Sequence, residues 1–318
     1  MTIGFVFPGQ GSQSVGMLGQ LADEFPEVKK TFEEGSRAVG RDLWELAARG
    51  PEEALDRTEN TQPAMLCADV ACWRAWQRLG GPQPVLMAGH SLGEYAALVC
   101  AGALVFEDAV RLVAARARFM QEAVPEGTGA MAAILGLPDD AVAEICRVSA
   151  GNAIVAPVNY NAPGQIVISG DTAAVGRAVE AARAAGAKRV VPLAVSVPSH
   201  CALMKDASER LADYLSEVLL QRPQIGVVHN AVVREESEPD GIRRALVAQL
   251  YSPVRWVETV RYMVSRGVDR LIECGPGKVL AGLNRRIEAG LDTEGIFTPS
   301  ALRAAANSRQ EDTHATRP

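Results

Sequence analysis

The stretch from Pro84 to Tyr95 constrains the fold of this 318-residue chain more than any other part of it. A short apolar run ends in Gly89-His90-Ser91-Leu92-Gly93 and is followed at once by helix-forming residues. This pattern predicts a strand, a sharp turn and a helix, with Ser91 at the apex. The glycines on either side of the serine suit such a turn, because a strand that bends this tightly into a helix leaves no room for side-chain carbon.

The predicted turn is a nucleophile elbow. It would lift the Ser91 hydroxyl clear of the backbone and hold it at a helix N-terminus, where the peptide dipoles favour developing negative charge. The alternative is an ordinary glycine-rich loop, since Gly-x-Ser-x-Gly by itself is a common pattern. The strand before the motif and the helix after it favour the elbow.

Composition and charge limit the classes of protein to which the chain can belong. With 48% hydrophobic and 22% charged residues, it can bury a sizeable core. The formal net charge of -6 shows no basic excess, so nucleic acid is not an expected partner. No apolar stretch approaches the length of a bilayer span and the N-terminus carries no signal-peptide pattern, so no membrane partner is expected. The six cysteines are scattered singly, which predicts free thiols in the cytoplasm and no metal site.

The order of the predicted elements divides the chain into a large domain and an inserted one. Between Val124 and Val195 the order is β-α-β-β-α-β, which is the split βαβ, ferredoxin-like arrangement. We therefore assign residues 1–123 and 196–297 to a large α/β domain and residues 124–195 to a small α+β domain inserted in it. Residues 298–318 lack periodicity and are predicted to be a disordered tail.

Two further segments bear on the core and on the site. The predicted helix from Ala64 to Leu79 is apolar nearly all round, so it should lie inside the protein. The polar segment from Tyr160 to Gly164 is predicted to be the hairpin turn of the small domain. A polar loop of this kind is also suited to face a cleft.

The predicted nucleophile needs a base within hydrogen-bond reach, because a serine hydroxyl is a poor nucleophile at neutral pH. The chain has four histidines. His90 adjoins Ser91 on an extended segment, where neighbouring side chains point to opposite faces. His229 lies in an apolar strand, which is typical of a core histidine, and His314 lies in the predicted tail. His200, in a proline-bounded loop at the end of a strand, is therefore the predicted base.

The sequence shows no acidic residue that can be singled out as the group that orients this base. No aspartate stands in the usual hydrolase position between Ser91 and His200, so a backbone carbonyl or an amide is the alternative. The predicted helix that follows the elbow helix carries arginines at 111, 116 and 118, which is typical of a solvated face.

A glycine-rich loop from Pro8 to Gln13 follows the first predicted strand. It lacks the third glycine of a dinucleotide fingerprint, and no Gly-Lys-Ser/Thr follows it, so both nucleotide-binding interpretations are rejected. The remaining alternatives are a plain turn and a loop that donates backbone N–H groups to a carbonyl oxygen.

Six short motifs occur in one order along the chain: Phe7-Pro8-Gly9-Gln10-Gly11-Ser12-Gln13, Gly89-His90-Ser91-Leu92-Gly93-Glu94, Arg116-x-Arg118-Phe119-Met120-Gln121, Gly129-Ala130-Met131-Ala132-Ala133, Ser199-His200 and Glu273-x-Gly275-Pro276-Gly277. Together they resemble the malonyl-CoA:acyl-carrier-protein transacylase family, over the chain from Phe5 to about Arg286. The resemblance implies an α/β-hydrolase-like large domain with an inserted ferredoxin-like α+β domain, in agreement with the element order.

The resemblance also implies a role for each site residue. Ser91 would be the acyl-accepting nucleophile and His200 its general base, with the Gln249 region supplying the carbonyl that orients the histidine. The oxyanion hole would consist of two backbone N–H groups, those of Gln10 and Leu92. The free carboxylate of a malonyl group would be held by the planar guanidinium of Arg116.

The implied reaction is a ping-pong malonyl transfer. Malonyl would pass from malonyl-CoA to the serine, and from there to the phosphopantetheine thiol of an acyl carrier protein for fatty-acid elongation. The implied partners are the carrier protein and the coenzyme A thioester; no cofactor would be bound permanently, and we expect a monomer. The same chemistry would serve a polyketide or malonate-decarboxylase pathway.

Two other classes stay open at this point. A serine thioesterase or other hydrolase is equally compatible with the elbow alone, but the arginine at position 116 and the lack of an evident triad acid count against it. A non-enzymatic carrier-binding module is disfavoured because both Ser91 and His200 are present.

Overall fold

Two β-sheets organise the computed structural model, which describes residues 1–125, 127–193 and 197–307. The strands are β1 (Ile3–Phe7), β2 (Leu86–Gly89), β3 (Gly129–Leu135), β4 (Val155–Ala162), β5 (Gln165–Asp171), β6 (Arg189–Pro192), β7 (Gly226–His229), β8 (Arg234–Glu235), β9 (Arg270–Glu273) and β10 (Asp292–Gly295). One sheet has six strands in the order β10-β9-β1-β2-β7-β8, and the other has four in the order β4-β5-β3-β6. The protein is therefore a mixed α/β fold.

The helices that cover these sheets are α1 (Gly19–Glu24), α2 (Pro26–Val39), α3 (Leu43–Arg49), α4 (Glu52–Leu55), α5 (Thr58–Arg78), α6 (Gly93–Cys100), α7 (Phe106–Ala123), α8 (Asp139–Ala150), α9 (Thr172–Ala184), α10 (Lys205–Ser216), α11 (Pro239–Tyr251), α12 (Trp256–Ser265), α13 (Val279–Ile287) and α14 (Pro299–Asn307). A short 3-10 turn, Ala202–Met204, precedes α10. Across the described ranges, no helix has both the length and the apolar character that a membrane crossing requires.

The central strands β1, β2 and β9 of the six-stranded sheet are buried on both faces. Its strands are parallel except for the short β8, which pairs antiparallel with β7. Along β1, Phe5 and Phe7 enter one apolar cluster and Val6 enters the other, as the period of two in a strand requires. The first cluster is built on α5, whose Trp73 and Trp76 meet the ring of Phe5 edge-on. This confirms that the apolar helix predicted from Ala64 to Leu79 lies inside.

The four-stranded sheet is antiparallel, with β3 paired to both β5 and β6. One of its faces carries α8 and α9, which bury Ile134 and Ile168. The other face turns Met131 and Val167 towards the loop at Cys201. Along the chain these elements follow in the order β3-α8-β4-β5-α9-β6. The predicted strand end at Val195 and the boundary at 195/196 lie outside the described residues.

The prediction of a disordered tail from residue 298 is wrong for its first part. Residues 299–307 form α14, in which Leu302 and Ala305 are buried. Arg303 forms an ion pair with Glu24 at the end of α1. The helix is too short to show a period in the sequence, and it is stabilised by tertiary contacts. Residues 308–318 lie outside the described part of the chain.

Candidate active site

The predicted elbow is present between β2 and α6. Ser91 has a φ of 51°, in the left-handed region that a non-glycine residue rarely adopts. A Cβ on Gly89 would overlap the carbonyl group of Gly93, and a Cβ on Gly93 would overlap the carbonyl oxygen of Phe7. Both glycines are therefore required by close backbone approach, and Ser91 lies at the carboxyl end of β2.

His200 is the histidine that the fold brings to this serine. Its Nε2 lies 2.8 Å from Ser91 Oγ, and its Nδ1 lies 2.7 Å from the backbone carbonyl oxygen of Gln249. The carbonyl can only accept, so Nδ1–H donates to it and Nε2 accepts from the serine hydroxyl. Burial, followed by the positive charge of Arg116, lowers the pKa of His200 to about 3. The imidazole is therefore neutral at physiological pH and able to take a proton.

The other described histidines are directed elsewhere. His90 Nε2 donates to Asn161 Oδ1 at 2.8 Å. The hairpin turn predicted from Tyr160 to Gly164 is shorter in the structure, because β4 continues to Ala162 and β5 begins at Gln165. His229 is fully buried and its Nδ1 donates to Glu94 Oε1 at 2.7 Å, as expected of a core histidine. His314 lies outside the described residues. These distances agree with the prediction from the sequence that His200 is the base for Ser91.

The arginines of α7 separate into one buried residue and two exposed ones. Arg111 pairs with Asp108 on the surface, and Arg118 lies over the ring of Phe119. Arg116 is only 2% exposed. The expectation of a solvated face thus holds for Arg111 and Arg118 and is wrong for Arg116, which points inward to the nucleophile.

Arg116 has only neutral hydrogen-bond partners. Its Nη1 donates to Gln62 Oε1 at 2.7 Å, and its Nη2 donates to Gln249 Oε1 at 3.1 Å and to Ser91 Oγ at 3.3 Å. Among the described residues no carboxylate forms an ion pair with it and its Nε has no acceptor. Burial lowers its pKa. The buried carboxylate of Glu94 attracts the guanidinium but is bridged to it by Gln249 and does not bond to it. A buried cation with no carboxylate in direct contact favours a bound anion.

The backbone N–H groups of Gln10 and Leu92 border the same space. A Cβ on Gly9 would overlap the carbonyl oxygen of His90 and lie 3.7 Å from Leu92 N, so the loop after β1 lies against the elbow. The Gln10 side chain accepts a hydrogen bond from Thr58 Oγ1 at 2.9 Å, which restrains this loop. Neither backbone amide has an acceptor within the ranges that the structure describes, so both are available to an oxyanion.

These groups line one cavity of about 90 Å³ between the two sheets. Its lining comprises Gln10, His90, Ser91, Leu92, Arg116, Met120, Met131, Asn159, Leu193, Val197, Ser199 and His200. The small volume suits a short acyl group, and the methionines and aliphatic side chains limit access of water. In the described part of the chain, no group of three or more His, Cys, Asp or Glu side chains could hold a metal ion.

Sequence reasoning missed three buried polar residues around the cavity: Gln62, Glu94 and Asn230. Glu94 lies in the elbow motif, but only the structure shows that its carboxylate turns inward. Asn230 follows directly after β7, at the carboxyl edge where α/β sheets place their sites, and that position was the available signal.

Comparison with known proteins places these observations in a family. Residues 4–294 match the family model described as acyl transferase domain. The chain is 56% identical over 301 residues to the "Malonyl CoA-acyl carrier protein transacylase" of Escherichia coli (strain K12), covering 95% of this chain and 97% of that protein. It is 42% identical over 311 residues to the protein of the same name from Bacillus subtilis (strain 168), with 98% of each covered.

A solved structure shows the same architecture. It is described as a "type II PKS acyl-carrier protein in complex with its malonyl-transacylase", and it superposes with a TM-score of 0.96 at 53% identity, over 97% of this chain and 100% of that one. Since the family model spans nearly the whole described chain and the relatives match it over almost their full length, the chain belongs to the acyl transferase domain family, among the malonyl CoA-acyl carrier protein transacylases.

Proposed function

We propose that the chain transfers malonyl from malonyl-CoA to the phosphopantetheine thiol of an acyl carrier protein, through an ester on Ser91, and so supplies fatty-acid elongation. The observation that carries the proposal is the Arg116 guanidinium. It is buried 3.3 Å from Ser91 Oγ, in the cavity that also contains His200, and no carboxylate of the described residues forms an ion pair with it. A free carboxylate on the acyl group would neutralise it. Both relatives are named for this reaction.

In the first half-reaction Ser91 Oγ attacks the thioester carbon of malonyl-CoA while His200 Nε2 takes the hydroxyl proton. The carbonyl oxygen becomes an oxyanion, stabilised by the backbone N–H groups of Gln10 and Leu92. The C–S bond then breaks, and His200 returns the proton to the departing coenzyme A thiolate. The products are free coenzyme A and a malonyl ester on Ser91.

The second half-reaction uses the same groups in the opposite sense. The carrier's phosphopantetheine thiol gives its proton to His200, and its sulfur attacks the ester carbon. The C–O bond to Ser91 breaks, and the protonated histidine returns the proton to the serine oxygen. Because the ester would also react with water, the narrow, largely apolar cavity favours transfer over hydrolysis.

The same geometry bears on the alternative functions. A hydrolase needs no buried cation beside its nucleophile and typically orients its histidine with an acid, whereas His200 donates to a backbone carbonyl. A transacylase of a polyketide or malonate-decarboxylase pathway would have the same site and differ in its carrier. The solved complex contains a polyketide carrier, so carriers of both kinds belong in the assay.

We also propose the finer division of the fold. A large α/β-hydrolase-like domain of residues 1–123 and 196–297 is supported by the parallel sheet, with Ser91 at the carboxyl end of β2. A ferredoxin-like domain of residues 124–195 is supported by the strand order β6-β3-β5-β4, with α8 and α9 on one face. The cytoplasmic location rests on the six cysteines, which are all free, as is usual in a reducing compartment.

Intact-protein mass measured after mixing with malonyl-CoA tests the function directly. We expect one malonyl adduct, discharged by added carrier protein much faster than by water alone. Fatty-acid and polyketide carriers compared at equal concentration would rank the possible acceptors. An adduct that water releases as fast as any carrier would instead identify a hydrolase.

Replacing Arg116 with alanine should reduce malonyl transfer selectively. Truncating one partner of a buried charge pair typically costs about 2–5 kcal/mol, or roughly 30-fold to several-thousand-fold in rate. Acetyl has no carboxylate and leaves the native guanidinium unpaired, so acetyl transfer should hold steady or rise in the variant. The measurement is the specificity constant for malonyl-CoA and for acetyl-CoA.

Arg111→Ala and Arg118→Ala are the matched controls, because they remove exposed arginines from the same helix. Both variants should have the wild-type ratio of the specificity constants for malonyl-CoA and acetyl-CoA. Two results would show that Arg116 does not bind the carboxylate. One is an equal fall of the specificity constants for malonyl-CoA and acetyl-CoA in Arg116→Ala, and the other is a fall for malonyl-CoA alone in either control.

A further inference from the structure

The left-handed backbone of Ser91 has to be held by its surroundings. A non-glycine residue at a φ of 51° is strained, and such a conformation persists only where neighbouring groups over-determine it. The position of Oγ relative to His200 Nε2 depends on this backbone. The groups that bind the Ser91 peptide units therefore act on the geometry of the reaction, although they do not touch its reacting atoms.

One of these groups is the side-chain amide of Asn230. Its Oδ1 accepts a hydrogen bond from the backbone N–H of Ser91 at 2.7 Å, and its Nδ2 donates to the carbonyl oxygen of Gly89 at 2.7 Å. The fully buried side-chain amide of Asn230 thus bridges the carbonyl group of Gly89 at the end of β2 and the N–H group of Ser91 in the turn. Only a side chain with one acceptor and one donor at this spacing satisfies both.

A second group is the carboxylate of Glu94, which is also fully buried. Its Oε2 accepts from the backbone N–H of Asn230 at 3.0 Å and from Gln249 Nε2 at 2.8 Å, while its Oε1 faces His229. Gln249 Nε2 also donates to the backbone oxygen of Ser91 at 3.0 Å. All of these partners donate, so the carboxylate satisfies them where an amide could not.

Gln249 connects this network to the base and to the cation. Its backbone oxygen accepts from His200 Nδ1 at 2.7 Å, and its side-chain oxygen accepts from Arg116 Nη2 at 3.1 Å. Fixing the Gln249 side chain through Glu94 therefore fixes the relative positions of nucleophile, base and cation.

We propose that Asn230 and Glu94 are positioning residues of the transfer reaction. Asn230 holds the elbow in the conformation that directs Ser91 Oγ towards His200 Nε2, and Glu94 fixes the positions of Asn230 and Gln249 relative to the elbow. The inference rests on the proposed function, because its readout is formation of the malonyl ester. A misplacement of about 1 Å is enough to cost on the order of a hundredfold in rate.

The first test compares Asn230→Ala and Asn230→Asp with the wild type. Alanine removes both hydrogen bonds, while aspartate keeps an acceptor for the Ser91 N–H and loses the donor to Gly89. We expect the rate constant of acylation by malonyl-CoA to fall about a hundredfold in the alanine variant. The loss should be at least as large in the aspartate variant, because its second carboxylate oxygen would face the Gly89 carbonyl oxygen, which also only accepts. The half-saturating concentration of malonyl-CoA should stay close to that of the wild type, because neither change touches the cavity that binds the acyl group.

Asn284→Ala provides a matched control. Asn284 is another fully buried asparagine whose side chain is hydrogen-bonded, to Trp256 Nε1 at 3.0 Å, and it lies outside the cavity lining. It should lower the melting temperature, because it removes a buried hydrogen bond, and leave acylation unchanged. If the control slows acylation as much as Asn230→Ala does, the loss reflects general destabilisation and the inference is wrong.

A double-mutant cycle with His200→Ala distinguishes positioning from stability. If Asn230 acts by aiming Ser91 at its base, its removal should cost little more once the base is gone, so the two effects should be strongly non-additive. Effects that simply multiply would contradict the inference. Should Asn230→Ala fail to fold, Asn230→Asp and Glu94→Gln carry the same test.

Glu94→Gln places an amide nitrogen among buried donors, and we expect a loss of acylation rate of about tenfold or more as the network rearranges. Wild-type acylation in both Asn230→Asp and Glu94→Gln would overturn the positioning role. Failure of the wild type to form any malonyl adduct would instead count against the proposed function.

Discussion

Replacing Ser91 with alanine is expected to abolish the malonyl adduct while the fold persists. Among the described residues that line the cavity, only this hydroxyl has a base within hydrogen-bond reach. Loss of the nucleophile from a serine–histidine site typically reduces turnover by about six orders of magnitude. Alanine keeps the same Cβ at the same left-handed backbone, so the strain of the turn and the hydrogen bonds of its peptide groups should be unchanged.

The measurement is intact mass after incubation with malonyl-CoA, followed by peptide mapping of any adduct. Ser199→Ala is the control, because this serine lines the same cavity, and the variant should acylate normally. The melting temperature of Ser91→Ala should stay close to that of the wild type. An adduct that persists on the mutant and maps to Cys100 or Cys201 would contradict the assignment, although burial raises the pKa of both thiols and so disfavours their thiolates.

The elbow could be predicted from sequence because its constraints are local. Two glycines and a serine in five residues, after an apolar strand and before a helix, specify a tight left-handed turn, and the structure has one there. Elements with a strong local period were predicted with similar success. The apolar helix predicted from Ala64 to Leu79 corresponds to most of α5, which ends at Arg78.

The helical period of α7 indicates that Arg116 is buried. On α7 the buried apolar residues include Leu112, Val113, Phe119 and Met120. Position 116 lies three or four residues from each of them, so a helical period places its side chain on the apolar face. A charged residue in the middle of such a face needs a partner or a function.

The network behind the elbow could not be predicted in this way. Glu94 and Gln249 are 155 residues apart in sequence, and Asn230 is 139 residues from Ser91. Nothing in the local pattern of any of them indicates that they meet, because the contacts depend on the order of strands in the sheet. The same limit applies to α14, whose sequence predicts a tail because its Leu302 is buried only by tertiary packing.

Replacing His200 with alanine is expected to slow acylation by a factor of about 10² to 10⁴, the usual contribution of a general base. The malonyl ester should still form on Ser91, only slowly, because the oxyanion donors and Arg116 remain. Single-turnover measurement of the adduct by mass gives the rate constant. His229→Ala is the matched control. Within the described residues its side chain hydrogen-bonds to Oε1 of Glu94, so its removal leaves the contacts of Oε2 in place.

The depressed pKa of His200 predicts the pH dependence of the wild-type enzyme. With a pKa of about 3, caused first by burial and then by the charge of Arg116, the base stays neutral far below the value near 6.5 of a free histidine. The acylation rate constant should therefore show no inflection between pH 8 and pH 5. A malonyl carboxylate bound to Arg116 would cancel part of that charge, so the base should strengthen when the substrate is in place.

The same shift determines how His200 contributes to stability. Its pKa is lower in the folded than in the unfolded chain, so the unfolded chain binds the proton first as the pH falls below about 6.5. The contribution of this group to the free energy of unfolding is therefore fully present above that pH and decreases as the pH falls towards 3. Denaturant unfolding at pH 7.5 and pH 5 should show a smaller difference between wild type and His200→Ala at the lower pH.

These expectations separate His200 from His229 without relying on a single rate. His229→Ala should leave an unpaired carboxylate oxygen in the core. It should therefore lower the melting temperature clearly while the acylation rate constant stays close to that of the wild type. The reverse pattern, with normal acylation in His200→Ala and slow acylation in His229→Ala, would show that the elimination among the histidines was wrong. An inflection near pH 6.5 in the wild type would likewise show that the catalytic base is an exposed histidine, which His200 is not.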